Sequence, residues 1–337
     1  MDSKQIGSFS IPRLTNVAIA KPSTESSSTQ LVALSYAGMS TNISLLHTCD
    51  SKDAIGSLPW PIEQKQVAGR STWATSLHIA CDLIFISNRA RDTIVVATLQ
   101  GLVVCTIPCP RPLGMCVDEA SKELYVSSHL SVVGREYRNY QIAVFSLGGN
   151  PIRTFGETGP GDGELWYPNQ LAFYSERGQL FVVDYYYQRI QVLTPCGHLI
   201  RVIRTRDFGI RLAGDLCFDY NTQTLLVLDG EAFSANVHAF KWDGVHAQET
   251  YRGSMLTKSE IPKRVSCFNS ICVDTSTNRL FVADATDKNS HIKVFDAPSD
   301  RRQVAFLACM LFGDSQSNLF IHHDRAWNGD NAELPLS

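Results

Sequence analysis

The strongest constraint on this chain is that it repeats. Residues 179–193 read QLFVVDYYYQRIQVL, residues 278–296 read NRLFVADATDKNSHIKVFD, and residues 122–145 read KELYVSSHLSVVGREYRNYQIAVF. Residues 82–96 (DLIFISNRARDTIVV), 223–240 (QTLLVLDGEAFSANVHAF) and 30–46 (QLVALSYAGMSTNISLL) share the pattern. A β-rich run ends in a polar residue, a variable turn follows, and a second β-rich run returns. The polar residue falls at Ser35, Asn88, Ser128, Asp184, Asp229 and Asp284, a mean spacing of about 50 residues, within the range of propeller blades.

A further strand precedes each pair: TNVAIA (15–20), SLHIAC (76–81), GMCVD (114–118), QLAFY (170–174), DLCFD (215–219) and SICVD (270–274). A fourth follows most pairs, as in GLVVCTI (101–107), NPIRTF (150–155) and GHLIRVI (197–203), and is poorly marked in the first unit. Short strands separated by turn residues, with no competing helical period, predict an all-β fold, a β-propeller of six four-stranded blades. Residues 1–324 form one domain in this reading and residues 325–337 a tail. Seven blades are the alternative, because residues 310–312 and 319–321 have the spacing of another first and second strand. Gln5–Ser10 looks like an orphan fourth strand that could join them in a shared blade and protect the sheet edges.

Three segments follow a shared consensus: Pro112-Leu113-Gly114-Met115-Cys116-Val117-Asp118, Leu280-Phe281-Val282-Ala283-Asp284 and Arg189-Ile190-Gln191-Val192-Leu193. In them the chain resembles the NHL-repeat family of six-bladed propellers, from about residue 13 to about residue 312. The resemblance implies a protein-interaction platform. It also includes RNA binders with a basic top face, and ligases with an amino-terminal RING and B-box. No paired Cys/His zinc motif precedes the first blade here. Propeller lactonases hold calcium at the channel mouth, and the amidating lyases that resemble NHL propellers are secretory and disulfide-bonded.

The net charge of −3 provides no global field for nucleic acid or anionic membrane, so neither a DNA nor a membrane partner is expected. The N-terminal MDSKQIGSFSIP lacks a basic region followed by an apolar run, which points to the cytoplasm. Cys116, Cys217 and Cys272 share one first-strand position with Ala18 and Ala172. That position wants a small apolar residue, so the cysteines are read as packed free thiols, in keeping with a reducing compartment. His78 occupies the same position in the second unit and is read as a hydrogen-bonded core histidine. No G-x-S-x-G or H-E-x-x-H element is present. The chain is therefore read as a binding module rather than an enzyme, with no cofactor and no metal expected, and a propeller-type metal-dependent hydrolase or lactonase is kept as an alternative.

Strands in a blade alternate direction. The loops entering the first strand and those between the second and third must emerge together on one top face, which includes the stretch His129–Asn139, predicted as a long loop. Three groups there are candidate sites. Tyr185, Tyr186 and Tyr187, with Trp166 and Tyr167 in the preceding linker, suit partner recognition, because aromatic side chains bring contact area at low entropy cost. Arg201, Arg204, Arg206 and Arg211, with Lys263 and Arg264 nearby, would suit single-stranded RNA. Asn16, Asn169, Asp215 and Asn269 are placed at the channel mouth, where hydrogen bonding of strand ends outweighs metal ligation.

Overall fold

The computed structural model describes residues 7–10, 14–20, 30–37, 40–47, 56–59, 74–99, 101–133, 136–229, 236–254, 268–276, 278–284 and 291–296. After the N-terminal strand β1 (Gly7–Ser10), the strands fall into consecutive groups. The first holds β2 (Leu14–Ala20), β3 (Gln30–Ala37), β4 (Ser40–His47) and β5 (Gly56–Pro59). The second holds β6 (Ala74–Ala80), β7 (Leu83–Asn88), β8 (Thr93–Thr98) and β9 (Val103–Pro108). Next come β10 (Met115–Asp118), β11 (Glu123–Val133), β12 (Glu136–Ser146) and β13 (Pro151–Phe155), then β14 (Pro168–Tyr174), β15 (Gln179–Asp184), β16 (Arg189–Leu193) and β17 (Leu199–Arg204). The fifth group is β18 (Ala213–Asp219), β19 (Thr224–Asp229), β20 (Asn236–Trp242) and β21 (Ala247–Ser254), and the last is β22 (Phe268–Asp274), β23 (Arg279–Asp284) and β24 (His291–Asp296).

The described strands form six four-stranded sheets. Their inner strands β2, β6, β10, β14, β18 and β22 lie side by side in that order, and β22 returns to β2. The fold is an all-β propeller, and we number the sheets as blades 1 to 6.

β1 is the fourth strand of the last sheet: it pairs antiparallel with β24, Gly7 opposite Val294, and gives β24 backbone partners along an otherwise open edge. Residues 310–321, which the seven-blade alternative would add, lie outside the described residues. One expectation needs correction. The stretch His129–Asn139 is not a long loop. β11 and β12 continue through it as a paired ribbon, with His129 opposite Tyr140 and Val133 opposite Glu136. Val132, Val133 and Tyr137 are strong strand formers, and the polar residues between them obscure this. The weakly marked fourth strand of blade 1 is β5, paired to β4.

Burial explains the pattern. β15, β16 and β19 are buried along their whole length, whereas the outer strands β13 and β17 alternate. Middle strands covered on both faces need continuous apolar runs. Each core is shared between neighbours: Phe181, Ile190 and Val192 of blade 4 pack with Phe218, Val227 and Trp242 of blade 5. Tyr174 stacks on Phe218 at 4.2 Å and Phe181 meets Trp242 edge-on at 5.2 Å.

The recurring polar residues have two jobs. At the end of the second strand, Asp184 and Asp229 accept the linker N–H groups of Trp166 and Leu212 at 2.9 and 3.1 Å, and Ser128 donates to the Pro110 carbonyl at 2.7 Å. The first strand ends in Asp118, Asp219 or Asp274, which accept the N–H two residues on, from Ala120, Asn221 and Ser276, and fix the turn.

Candidate functional site

Residues 185–188 form a four-residue turn between β15 and β16. Gln188 donates to the Tyr185 carbonyl at 3.3 Å and adopts a left-handed φ of 50°. The turn is anchored from below. Arg189, 2% exposed, donates to the fully buried Asp184 carboxylate at 2.9 Å, to Asp162 at 3.1 Å and to the carbonyls of Pro160 and Glu164 at 3.0 and 2.8 Å. Its guanidinium also covers the Tyr187 ring at 5.1 Å. Burial pushes the Asp184 carboxyl up, and the Arg189 hydrogen bond opposes that rise. Arg189 is therefore a structural clamp on the turn and on the linker 160–166.

Above the clamp the aromatics form one strip. Tyr186 is 64% exposed and Tyr185 37%, while Tyr187, Trp166 and Tyr167 are half-buried. Trp166 lies 6.0 Å from Tyr186 and 6.3 Å from Tyr187, and Tyr167 lies 6.0 Å from Tyr185. The strip continues into blade 3 through Tyr140, 5.8 Å from Trp166, and His129, 4.9 Å from Tyr167. It reaches blade 2 where Arg89 donates to the Tyr167 hydroxyl at 3.4 Å. Tyr167 sits at φ 67°, unusual for a bulky residue, and its carbonyl accepts the Tyr185 N–H. All five tyrosine and tryptophan residues singled out from the sequence come together here.

The four arginines do not. Arg201 stands opposite Val192 and Arg204 opposite Arg189, so they point from opposite faces of β17, and both are exposed. Arg204 pairs with Asp162 at 3.4 Å, and Arg206 hydrogen-bonds Gln188. Arg211 lies beyond the short 3-10 turn Thr205–Phe208, in the linker to β18. Lys263 and Arg264 lie outside the described residues.

The inner strands surround a cavity of about 850 Å³. Ala18, His78, Cys116, Ala172, Cys217 and Cys272, one per blade, all line it, as their shared register position requires. His78 accepts the Val117 N–H across the blade boundary at 3.3 Å, and burial lowers its pKa to about 4. Burial holds the Cys116, Cys217 and Cys272 thiols well above the ordinary range, which makes them poor nucleophiles. Asp215 accepts the N–H groups of Ile271 and Leu216, each at 2.9 Å, one on each oxygen, and burial pushes its pKa up to about 6. The Asn169 carbonyl accepts from Gly114 N and from the Ser127 hydroxyl at 3.0 and 2.7 Å. These groups tie inner strands together. The side chains of Asn16 and Asn269 lie outside the described residues. Among the described residues, no three His, Cys, Asp or Glu side chains are grouped to hold a metal ion, and the seven described cysteines are free thiols.

Sequence reasoning missed His129, Tyr140, Arg89, Arg91 and Arg111. His129 is fully buried between Tyr140 and Tyr167. Burial, then the positive charges of Arg89 and Arg111, lower its pKa to about 4. The aligned repeats carry a signal for two of these: Arg89 and Arg91 occupy in the turn 89–92 the places that Tyr185 and Tyr187 hold in the turn 185–188.

No family model matches the chain, and no curated protein is similar to it in sequence. Solved structures are similar in fold. One, from the crystal structure of a nidogen/laminin complex, is 15% identical with a TM-score of 0.52, covering 82% of this chain and 86% of that one. The hydrazine synthase of Kuenenia stuttgartiensis is 11% identical with a TM-score of 0.53, covering 89% and 84%. A protein of unknown function from Bacteroides thetaiotaomicron VPI-5482 is 10% identical with a TM-score of 0.56, covering 85% and 70%. At these identities the likeness is one of fold.

Proposed function

We propose that this chain is a non-catalytic interaction platform that binds a protein partner through the top face of an NHL-like, six-bladed propeller. In this reading residues 1–324 are one domain, the protein works in the cytoplasm, and no cofactor is needed. The observation that carries the reading is the aromatic strip: Tyr185 and Tyr186 are exposed on a turn whose buried clamp, Arg189–Asp184, needs neither of them. Exposed aromatics on a rigid support fit the anchors of protein interfaces. The fold neighbour found in a nidogen/laminin complex makes protein partners plausible for such a scaffold. The RNA and hydrolase alternatives draw less support, because Arg201 and Arg204 diverge and both oxygens of Asp215 already accept backbone N–H groups.

The test is a double replacement, Tyr185→Ala with Tyr186→Ala. Thermal unfolding should be unchanged within about 1 kcal/mol, as for exposed positions. Proteins captured by the tagged wild type should be lost. Capture that survives the replacement contradicts the assignment.

A further inference from the structure

The cavity inside the ring of inner strands is separate from the aromatic strip. It extends from the starts of those strands, at Ser76, Gln170 and Ser270, to the turns that follow them, at Glu119, Lys122 and Tyr220. These turns lie on the face opposite the strip, and all three of their residues named here are exposed, so the cavity opens there. Its volume of about 850 Å³ falls in the range of small-molecule sites, roughly 300–1,000 Å³. Two polar side chains on its wall are left over by the fold. His78 accepts the Val117 N–H at Nε2, and burial keeps the ring neutral. A neutral imidazole that accepts at one nitrogen carries its proton on the other, so Nδ1 is a donor. Nδ1 has no hydrogen-bond partner among the described residues and is not sealed from the cavity. Gln170 reaches over Gly114, where a Cβ would stand 2.7 Å from Oε1, and its carboxamide is likewise without a partner among the described residues. The two groups therefore flank β10 from blades 2 and 4. Packing does not call for the imidazole, since the other five blades place alanine or cysteine at the position of His78.

We propose that this cavity binds a small, uncharged, largely apolar molecule that carries a carbonyl-type acceptor, with the His78 Nδ1–H and the Gln170 carboxamide as its polar contacts. The inference is independent of the interaction-platform reading, because it concerns the opposite face and different residues. A few convergent polar groups on an otherwise apolar wall fix the orientation of such a ligand, and much of the rest of this wall is methyl or thiol, as at Ala18, Cys116, Ala172 and Cys272. An anion fits less well. The six inner strands contain no lysine or arginine, and they contribute the Asp215 carboxylate to the wall. The nearest cation on the wall, Lys122, is at the exposed rim, where Nζ donates to the Cys81 sulfur at 3.1 Å. A cation fits less well at the two polar groups, because His78 presents a donor there rather than an acceptor.

The experiment uses the purified full chain and three fluorescent probes. One is propionyl-dimethylaminonaphthalene, a neutral ketone whose emission moves to the red when its carbonyl accepts a hydrogen bond. The others are dimethylaminonaphthalene, which lacks the carbonyl, and dimethylamino-naphthoate, which is anionic. The ketone should bind with a Kd of about 100 μM or tighter, and at least about threefold more tightly than either other probe, as for one neutral hydrogen bond. His78→Phe and Gln170→Leu should each weaken it by about threefold or more, and His78→Phe should move the bound emission to the blue. Cys272→Met, which lengthens a side chain on the wall, should weaken it by filling the cavity. Ile152→Ser, at an exposed apolar position on the outer strand β13, should leave it unchanged. Circular dichroism checks each fold, and if His78→Phe fails to fold, Gln170→Leu alone decides. A ketone that does not bind leaves a water-filled channel and overturns the proposal. Equal or tighter binding of either other probe, or an equal loss in Ile152→Ser, overturns it as well.

Discussion

Replacing Arg189 by Met would remove the clamp under the aromatic turn, and its cost can be worked from the contacts. Arg189 is 2% exposed and its partner Asp184 is fully buried. Without Arg189, the Asp184 carboxylate keeps only the Trp166 N–H at 2.9 Å and a long contact from Gln191 at 3.4 Å. Breaking a buried pair from one side costs about 3–5 kcal/mol, because the remaining charge is stranded out of water. Urea unfolding followed by circular dichroism should show that loss. Adding Asp184→Asn removes the stranded charge, so the double variant should lose less than the sum of the singles by roughly 1–3 kcal/mol. The pH dependence has a definite sign. Burial already raises the Asp184 carboxyl, and removing Arg189 raises it further. A carboxyl raised in the folded state costs most when ionised, and that cost vanishes as pH falls below the unfolded value. The deficit of Arg189→Met should therefore shrink on acidification. A deficit under about 1 kcal/mol, or one that does not change with pH, would refute the clamp.

Two other perturbations test the packing around the site. His129 titrates near 4 in the folded protein against 6.5 ordinarily, so its contribution is full above about pH 6.5 and is lost as pH falls toward 4, by about 3 kcal/mol; His129→Gln should flatten the wild-type stability profile across that window by about this amount. Gly114→Ala would place a Cβ 2.2 Å from the Asn169 carbonyl and 2.6 Å from Gln170 Cα, both backbone atoms, and should lose about 1–3 kcal/mol or more in urea titration. Gly148→Ala, whose Cβ would meet nothing nearer than Ser146 Oγ at 3.9 Å, is the neutral control.

The architecture was legible because the repeat encodes backbone needs in side chains. Asp184 and Asp229 recur because a linker N–H must be satisfied where each second strand ends. Ala18, Cys116, Ala172, Cys217 and Cys272 recur at one position because it faces the central cavity. The aromatic group was legible because its members belong to one repeat, Trp166 and Tyr167 in the linker that enters it and Tyr185, Tyr186 and Tyr187 in its central turn. Nearness misled for the arginines: Arg201 and Arg204 are three residues apart but leave β17 on opposite faces. Arg89 and Arg111 belong to different repeats, and both act on His129 only because blade 2 stacks on blade 3, an arrangement that no single repeat can reveal. The extended β11–β12 ribbon was hidden for a related reason, since its polar residues read locally as a loop.

The most direct test of the central claim is photo-crosslinking in cells from a benzophenone amino acid placed at Tyr186. Leu102, 70% exposed on the turn between β8 and β9, is the control on the other side of the propeller. The account predicts a discrete protein adduct from position 186 that resists ribonuclease and is absent from position 102. Adducts only to RNA, or the same adducts from both positions, would contradict it.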